Sequence, residues 1–354
     1  MKKCISVLTI MAFSVVVGCS SDSTSEASTN DVETLGSIAV IRNLSSDDHT
    51  TQFLAGVVAE GTALGYSVDT FISNGDDARF QELVEQQIEK GYDGLIISHG
   101  KAEYSTQMLE PALEKGIMVV TFDTAFQDDI VPEGITSTAQ DDEALARLSL
   151  EEIVATSENS PATVLKLWFG PGIPPLDSRE IVYKEYEQAG LIETLELIGP
   201  STLDNVQGDI ADRVGAVLPK YQVGSVDAMW GSWDEMAKGG YTALKEANRT
   251  DINLVSIDVS NQDINLMMEE GSVWTATAAV DPELIGVIST RILVQKLHGE
   301  EMPQTYNFEA QLIRSADLND DTTMSTLAEV VPGWGQSDAF NELWMDELRD
   351  TYAK

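Results

Sequence analysis

The sequence predicts an α/β protein whose chain forms two doubly wound parallel-sheet lobes, joined by a hinge, with a ligand cleft between them. From Gly36 onward, short apolar runs alternate with amphipathic segments, and this alternation occurs in two successive series. Each series predicts one parallel sheet with helices on both faces. No linker rich in Pro or Gly separates the two series, so we expect the lobes to lie close together.

The first series predicts four strands and three helices. Glycines follow or end the helical segments, at Gly65, Gly91 and Gly116, as is typical of helix C-termini. The apolar runs before His99 and Asp123 are continuous, as strands buried on both faces require. The predicted strands are 37–41, 66–72, 93–98 and 117–122, and the predicted helices are 53–65, 78–90 and 104–115.

The second series repeats the pattern. Its predicted strands are 162–169, 193–198, 226–231 and 254–257, and its predicted helices are 178–189, 206–218 and 235–247. Near the end of the chain, apolar residues at a spacing of three and four predict a helix over 338–352 that packs on the body. A helix that binds a partner is the alternative.

The beginning of the chain predicts a signal peptide and a lipid anchor. Lys2 and Lys3 precede an apolar stretch that is shorter than the ~20 residues of a membrane span. The run Val16-Val17-Gly18-Cys19 resembles a bacterial lipobox. We therefore expect cleavage of residues 1–18 and lipidation of Cys19, with 19–35 as lipidated cysteine and flexible tether. A plain secretory signal with a chance cysteine is the alternative.

Composition excludes some classes of function. The 354 residues contain 21 Lys and Arg against 59 Asp and Glu, a net charge of −38, which argues against a nucleic-acid partner and against electrostatic docking on anionic lipid. The two cysteines are Cys4 and Cys19, so the mature chain offers no thiol for a disulfide or for catalysis. The three histidines are far apart, so no metal site and no cofactor are expected.

The carboxyl ends of the predicted strands are where ligands bind in open parallel sheets. The residues just past those ends include the segment 43–49 with Asp48, and also His99, Asp123, Trp168, Trp233, Asp234 and Asp258.

An ordered series of short motifs resembles the periplasmic sugar-binding proteins of ABC transporters, of the ribose- and galactose-binding type. The matching motifs are Gly61-x-x-x-Gly65-Tyr66, Gly91-x-Asp93-Gly94, Ile117-x-Val119-Val120-Thr121-Phe122-Asp123, Ser178-Arg179, Trp233-Asp234-x-x-Ala237-x-Gly239, Val255-x-Ile257-Asp258 and Asp281-Pro282-x-x-x-Gly286. The resemblance implies a type 1 periplasmic binding fold and a sugar held between closing lobes. It places Asp123, Arg179, Trp233 and Asp258 at sugar-contacting positions.

The resemblance also implies partners and a location. We expect a monosaccharide or related polyol as ligand, an ABC permease as partner, a monomeric state, and a periplasmic or cell-envelope location through the lipid anchor only. Carboxylates and a guanidinium would bond the sugar hydroxyls, and Trp233 or Trp168 would stack on the sugar ring. A sensory receptor that reports to a histidine kinase or chemoreceptor is the alternative.

The expected domains follow from the same resemblance. The N-terminal lobe is expected at 36–139 plus 281–308, and the C-terminal lobe at 140–280 plus 309–354, including a C-terminal extension. The sequence contains neither a P-loop nor a Gly-x-Ser-x-Gly nucleophile elbow, and we expect no enzymatic activity. Four features depart from the family. The first loop lacks paired aromatics, Val280 stands where a polar contact is common, the segment 170–176 is rich in Pro, and the chain runs forty residues past Arg314.

Overall fold

The computed structural model describes residues 33–44, 48–202 and 205–353. The predicted signal peptide, Cys19 and most of the predicted tether lie outside the described residues. None of the helices within the described ranges is long and apolar enough to cross a membrane.

The described residues form an α/β fold with two sheets, which confirms the predicted fold class. The strands are β1 (Gly36–Arg42), β2 (Tyr66–Ile72), β3 (Gly94–Ser98), β4 (Met118–Phe122), β5 (Ile135–Gln140), β6 (Ala162–Leu167), β7 (Ile192–Ile198), β8 (Ala228–Gly231), β9 (Asn253–Ile257), β10 (Trp274–Ala279), β11 (Thr305–Phe308) and β12 (Gln311–Arg314). The helices are α1 (Asp48–Ala63), α2 (Asp77–Lys90), α3 (Ser105–Glu114), α4 (Asp142–Thr156), α5 (Pro174–Gln188), α6 (Val206–Val217), α7 (Asp234–Glu246), α8 (Asn261–Met268), α9 (Pro282–Leu297) and α10 (Leu343–Tyr352).

The two sheets have the same arrangement of strands. The first has the order β11-β5-β4-β3-β1-β2, and its pairs are parallel. The second has the order β12-β10-β9-β8-β6-β7, and only β12 is antiparallel to its neighbour. We call the parts built on these sheets the N-terminal and C-terminal lobes. Strands β4 and β9 therefore occupy equivalent positions in the two lobes.

Within the described residues, the chain passes from one sheet to the other three times, between β5 and α4, between β10 and α9, and between β11 and β12. These connections form the hinge. They are short because each strand leads directly into an element of the other lobe, so the lobes stay close together.

The helices α1 and α9 pack closely on the N-terminal sheet. A Cβ atom on Gly56 would lie 2.1 Å from the backbone oxygen of Glu283, and one on Gly286 would lie 2.3 Å from the backbone oxygen of Phe53. Neither helix could approach the other so closely with a side chain at these positions.

The structure differs from the predicted elements where the local pattern is weak. Helix α1 begins at Asp48 rather than at residue 53, so Asp48 and His49 belong to its first turn. The strands β5, β10, β11 and β12 and the helices α4 and α8 were not predicted. Strand β5 has the sequence ITSTAQ, which lacks the apolar run of its neighbours because threonines fill its buried positions.

The assignment of 309–354 to the C-terminal lobe is corrected over its last part. The side chain of Arg349 on α10 binds Glu60 of α1, and Tyr352 lies against Gly65, so α10 packs on the N-terminal lobe. The helix is also shorter than predicted, and Leu343, expected in its apolar stripe, is exposed while Met345 is buried.

Candidate functional site

Three of the predicted site residues follow directly on buried strands. His99 follows β3, Asp123 follows β4 and Asp258 follows β9, and their φ angles are 65°, 44° and 74°. A left-handed backbone is costly for residues other than glycine, and such residues concentrate at functional sites. The strand ends therefore carry strained backbone at the three predicted positions.

Asp123 and Asp258 are structural counterparts in the two lobes. The backbone N–H of Asp123 donates to Thr138 at 2.9 Å, and that of Asp258 donates to Ala278 at 2.9 Å. In each case the acceptor lies at the end of the next strand of the sheet, β5 or β10. The same turn thus presents one carboxylate from each lobe.

Arg179 lies on α5 of the C-terminal lobe and is 2% exposed. Its Nη1 and Nη2 donate to the two carboxylate oxygens of Asp258 at 2.9 and 3.2 Å. Its Nε and Nη2 lie 2.8 Å from Oδ1 of Asp142, and Nη1 also donates to the backbone oxygen of Ser232 at 2.7 Å. A guanidinium has five N–H donors, and these contacts engage all three of its nitrogens. Arg179 therefore holds two carboxylates in place.

The N-terminal lobe has its own buried arginine, Arg42, at the end of β1. It donates from Nε to Thr50 at 2.9 Å, from Nη1 to Ser98 Oγ at 3.0 Å and from Nη2 to His49 Nδ1 at 2.7 Å. Because a guanidinium only donates, Nδ1 of His49 must accept, and its ring hydrogen is on Nε2.

His99 is joined to Arg42 through Ser98. Ser98 Oγ accepts from Arg42 and lies 2.5 Å from Nδ1 of His99. Nε2 of His99 lies 3.9 Å from Oδ2 of Asp123. A neutral imidazole has one N–H donor, which His49 carries on Nε2 and His99 carries on one of its two ring nitrogens.

Burial and the charge of Arg42 keep these imidazoles neutral. Burial, with Arg42 second, lowers the pKa of His49 to about 3 and lowers the pKa of His99 well below its usual range. Phe122 separates the rings, stacked on His49 at 6.3 Å and edge-on to His99 at 5.6 Å between centroids.

The carboxyl groups are shifted in the opposite direction. Burial, with the charge of Asp142 second, raises the pKa of Asp123 to about 7. Burial also raises the pKa of Asp142 to about 6, although Arg179 lowers it. Burial lowers the pKa of Arg179, but the carboxylates of Asp258 and Asp142 outweigh it and the net shift is upward. Asp123 belongs to the N-terminal lobe, and Asp142 and Arg179 belong to the C-terminal lobe. Oδ1 of Asp123 accepts from the backbone N–H of Gln140 at 3.3 Å, two residues before Asp142, so the two carboxyl groups lie near the passage of the chain from one lobe to the other.

Asp48 joins the two lobes directly. Its Oδ2 accepts from the backbone N–H of Asn261, the first residue of α8 in the other lobe, at 3.0 Å. A carboxylate at a helix N-terminus is favoured by the helix dipole. The side chain of Asn261 accepts from the backbone N–H of Met324 at 2.9 Å. Asp48, which is predicted to contact a ligand, thus forms a hydrogen bond between the lobes.

The remaining predicted residues lie beside the Arg179 cluster. Trp168 is half-buried and donates from its indole to Leu176 at 3.3 Å. Trp233 is half-buried against the C-terminal core and precedes α7. Asp234 is buried and binds Lys238 at 2.7 Å, and burial, with Asp263 second, raises its pKa.

Sequence reasoning missed Arg42 and Asp142 as members of the site, and it included His49 in the segment past β1 without assigning a contact to it. Arg42 ends the β1 strand, and a charged residue closing a buried apolar run is a signal that points to such a position. Asp142 begins α4, which was not predicted, so it had no strand end to identify it. No group of three or more potential metal ligands is found among the described residues.

Comparisons with known proteins agree with this architecture. The family model for the periplasmic binding protein domain matches residues 38–301. The solved structure of a sugar ABC transporter from Yersinia enterocolitica is 47% identical, covers 89% of this chain and 95% of its own, and gives a TM-score of 0.76. The 5-methylthioribose transporter solute binding protein from Thermotoga lettingae is 26% identical, with 89% and 98% covered and a TM-score of 0.74.

A curated relative, the ribose import binding protein of Bacillus subtilis, is 23% identical over 324 residues, which are 88% of this chain and 99% of that protein. The chain therefore belongs to the periplasmic binding protein family and is similar to its type 1, sugar-binding members.

Proposed function

We propose that this chain is an extracytoplasmic solute-binding protein that takes a monosaccharide or a related polyol between its lobes and delivers it to an ABC permease. As a member of a family of binding proteins, it releases its ligand without chemical change. The observation that carries the proposal is the matched set of polar groups in the cleft, with imidazole donors on one lobe and paired carboxylates on the other.

A sugar hydroxyl both donates and accepts a hydrogen bond, so a polyol suits a cleft that offers both. His49 supplies an N–H donor from Nε2, because its Nδ1 accepts from Arg42, and the neutral ring of His99 supplies a second N–H donor. Asp258 and Asp142 supply acceptor oxygens held in place by Arg179. A ligand that lacked the matching hydroxyls would leave these buried groups unpaired, which costs about 1–3 kcal/mol for each group. Selectivity for a polyol follows from that cost.

The charges of the cleft favour a neutral ligand. Arg42 and Arg179 offset two of the carboxylates, the two imidazoles are neutral, and Asp123 has its pKa raised to about 7. A ligand with its own charge would need a counter-ion that this set does not supply. Asp123, Asp258 and His99 are the proposed direct contacts, with Arg179 as the residue that positions the carboxylates. Stacking by Trp168 or Trp233, and a ligand contact by Asp234 or Asp48, remain part of the proposal.

The relatives support the same ligand class. The Yersinia protein is described as a sugar transporter component, the Bacillus protein as ribose-binding, and the Thermotoga protein is in complex with 5-methylthioribose. Lipidation of Cys19, tethering by residues 19–35 and a monomeric state complete the proposal for a cell-envelope protein.

A thermal-shift screen against pentoses, hexoses and linear polyols tests the proposal. A ligand at a hundred times its Kd should stabilise the fold by about 2.7 kcal/mol. Titration calorimetry on the hit should then show affinity weakened at least about tenfold in Asp258→Asn, because the acceptor pair held by Arg179 is lost. Asp212→Asn, an exposed site in the same lobe, is the matched control. Absence of a shift with every sugar and polyol, or unchanged affinity in Asp258→Asn, would contradict the proposal.

A further inference from the structure

The C-terminal segment 315–352 contacts both lobes, although it begins after residue 301, where the family match ends. Its first part belongs to the C-terminal lobe. Met324, Leu327, Val331 and Trp334 are each at most 5% exposed and pack in the core of that lobe. The backbone N–H of Met324 also donates to Asn261 of α8 at 2.9 Å.

The last part of the segment is bound to the N-terminal lobe. Arg291 of α9 donates from Nη1 to the backbone oxygens of Ser337 and Ala339 at 2.8 and 3.3 Å. Gln295 of α9 donates to the backbone oxygen of Phe340 at 2.8 Å. These bonds fix the chain to α9 from Ser337 onward.

Helix α10 strengthens this second attachment. Arg349 donates to Glu60 of α1 at 2.5 Å, and Glu60 also binds Arg291 at 2.7 Å. The ring of Trp344 is stacked on His298 at 4.3 Å between centroids. Both Arg291 and Glu60 are nearly buried, with side chains 13% and 10% exposed. Loss of either partner would leave the other charge buried, so this attachment is not a weak surface pair.

Only Gly335 and Gln336 separate the two attachments. We call these two residues the link. Three Cα–Cα steps join Trp334 to Ser337, so the distance between these Cα atoms cannot exceed about 11 Å. The link is folded rather than extended, because Gln336 N donates to the backbone oxygen of Gly333 at 3.2 Å. Gly333 and Gly335 have φ angles of 85° and 69°, which only glycine adopts easily.

The link passes over the hinge without filling the space beneath it. A cavity of about 290 Å³ is lined by the hinge residues Val280 and Asp281, by Phe308 and Gln311, and by the chain from Gly335 to Ala339. Gly335 approaches the hinge closely, since a Cβ atom on it would lie 2.9 Å from Oδ2 of Asp281, and the cavity leaves open space beside this approach. The link can unfold only as far as its short length permits.

We propose that the link is a tether that limits how far the two lobes can open. Because one end is attached to each lobe, opening first straightens the turn at Gly333–Gln336 and then pulls on the bonds of Arg291. A limited opening keeps the ligand-free protein near the binding-competent arrangement, and affinity rises with the fraction of that arrangement. This inference rests on the two-lobe binding function proposed above, but its test needs no ligand.

Spin labels on two cysteines measure the opening directly. Ala78 of α2 and Asp212 of α6 are exposed, one on each lobe, and the chain contains no cysteine beyond Cys4 and Cys19. The full chain with Cys4→Ser, Cys19→Ser, Ala78→Cys and Asp212→Cys is the parent. Electron–electron double resonance then gives the distribution of distances between the lobes without ligand.

The decisive variant inserts Gly-Ser-Gly-Ser between Gln336 and Ser337, which lengthens the link and keeps both attachments. The control inserts the same four residues between Val223 and Gly224, an exposed turn within the C-terminal lobe. We expect the parent and the control to have the same distribution of interlobe distances. In the link variant the distribution should extend to distances longer by about 5 Å or more, which is less than the ~14 Å that four extended residues can add. The inference would be overturned if the link variant and the control had the same distribution, whether both matched the parent or both were broadened equally.

A second variant weakens the attachment without changing the length of the chain. Arg349→Ala removes the bond to Glu60, and we expect a smaller shift to longer distances. Arg147→Ala removes an exposed pair with Glu185 within the C-terminal lobe and should leave the distribution unchanged. A distribution that stays unchanged in Arg349→Ala as well as in the link variant would show that the segment does not restrain the lobes.

Discussion

Replacing Arg179 by Met is the sharpest test of how the cleft is built. The change removes five N–H donors from a side chain that is 2% exposed and leaves Asp142 and Asp258 without their counter-ion. Removal of one partner from a buried ion pair costs about 3–5 kcal/mol. We therefore expect the free energy of unfolding at pH 7.5 to fall by about 3–5 kcal/mol.

The loss should depend on pH. Burial already raises the pKa of Asp142 to about 6, and Arg179 opposes that shift, so its removal raises the pKa further. A carboxyl group whose folded pKa exceeds its unfolded value of about 3.9 stabilises the fold at low pH and loses that contribution as the pH rises through the folded pKa. At pH 5 we therefore expect the loss in Arg179→Met to shrink to about half of its value at pH 7.5.

Urea unfolding of the parent and the variant at both pH values measures this difference. Arg249→Met is the matched control, because Arg249 is a 7% exposed arginine of the same lobe that binds Asp251. In the parent, the side-chain hydrogen bond from Arg249 lowers the pKa of Asp251 to about 2. Its loss in Arg249→Met moves this pKa back toward the ordinary value of about 3.9, which is below both test pH values. A loss below about 1 kcal/mol in Arg179→Met, or a loss as large at pH 5 as at pH 7.5, would refute the reasoning.

Three further predictions concern single positions. In Asp123→Asn, the stability relative to the parent should increase as the pH rises from about 4 to 7. Burial raises the pKa of Asp123 to about 7, so the parent loses stability over that range as this carboxyl ionises. Urea midpoints measured across the pH range check this prediction, and a difference that does not change with pH would contradict it. Gly56→Ala should lower the free energy of unfolding by about 1–3 kcal/mol or more, because its Cβ would lie 2.1 Å from the backbone oxygen of Glu283. The control Gly215→Ala on α6, whose Cβ would have nothing within 4 Å, should be neutral or slightly stabilising in the same unfolding measurement. Asp48→Ala should speed hydrogen exchange at the amide of Asn261 at least about threefold, because that amide loses its acceptor in the other lobe. The amide of Asp263, which is bonded to Ser260, is the internal reference. Equal protection of the Asn261 amide in the variant and the parent would argue against an interlobe bond in solution.

Much of the fold could be predicted because its signals are local. The runs that became β3 and β4 are apolar throughout, and the spacing of apolar residues in α2 matches one helix face. Strand β5 escaped prediction because threonines take its buried positions and bond to backbone oxygens, as Thr138 does to Thr121 at 2.9 Å. A polar residue that becomes buried through such a bond resembles a loop residue in the sequence.

The sequence by itself determined that carboxylates and a histidine follow buried strands, and that Asp123 and Asp258 would lie at the carboxyl ends of strands in their sheets. Only the tertiary structure decided what Arg179 does, because its partners Asp142 and Asp258 are 37 and 79 residues away. The tautomer of His49 depends in the same way on Arg42, and the bond of Asp48 joins residues 213 positions apart. Periodicity reports which residues a strand or helix buries, since that depends on near neighbours. Which donor meets which acceptor depends on how distant segments pack, and that information appears only when the two lobes come together.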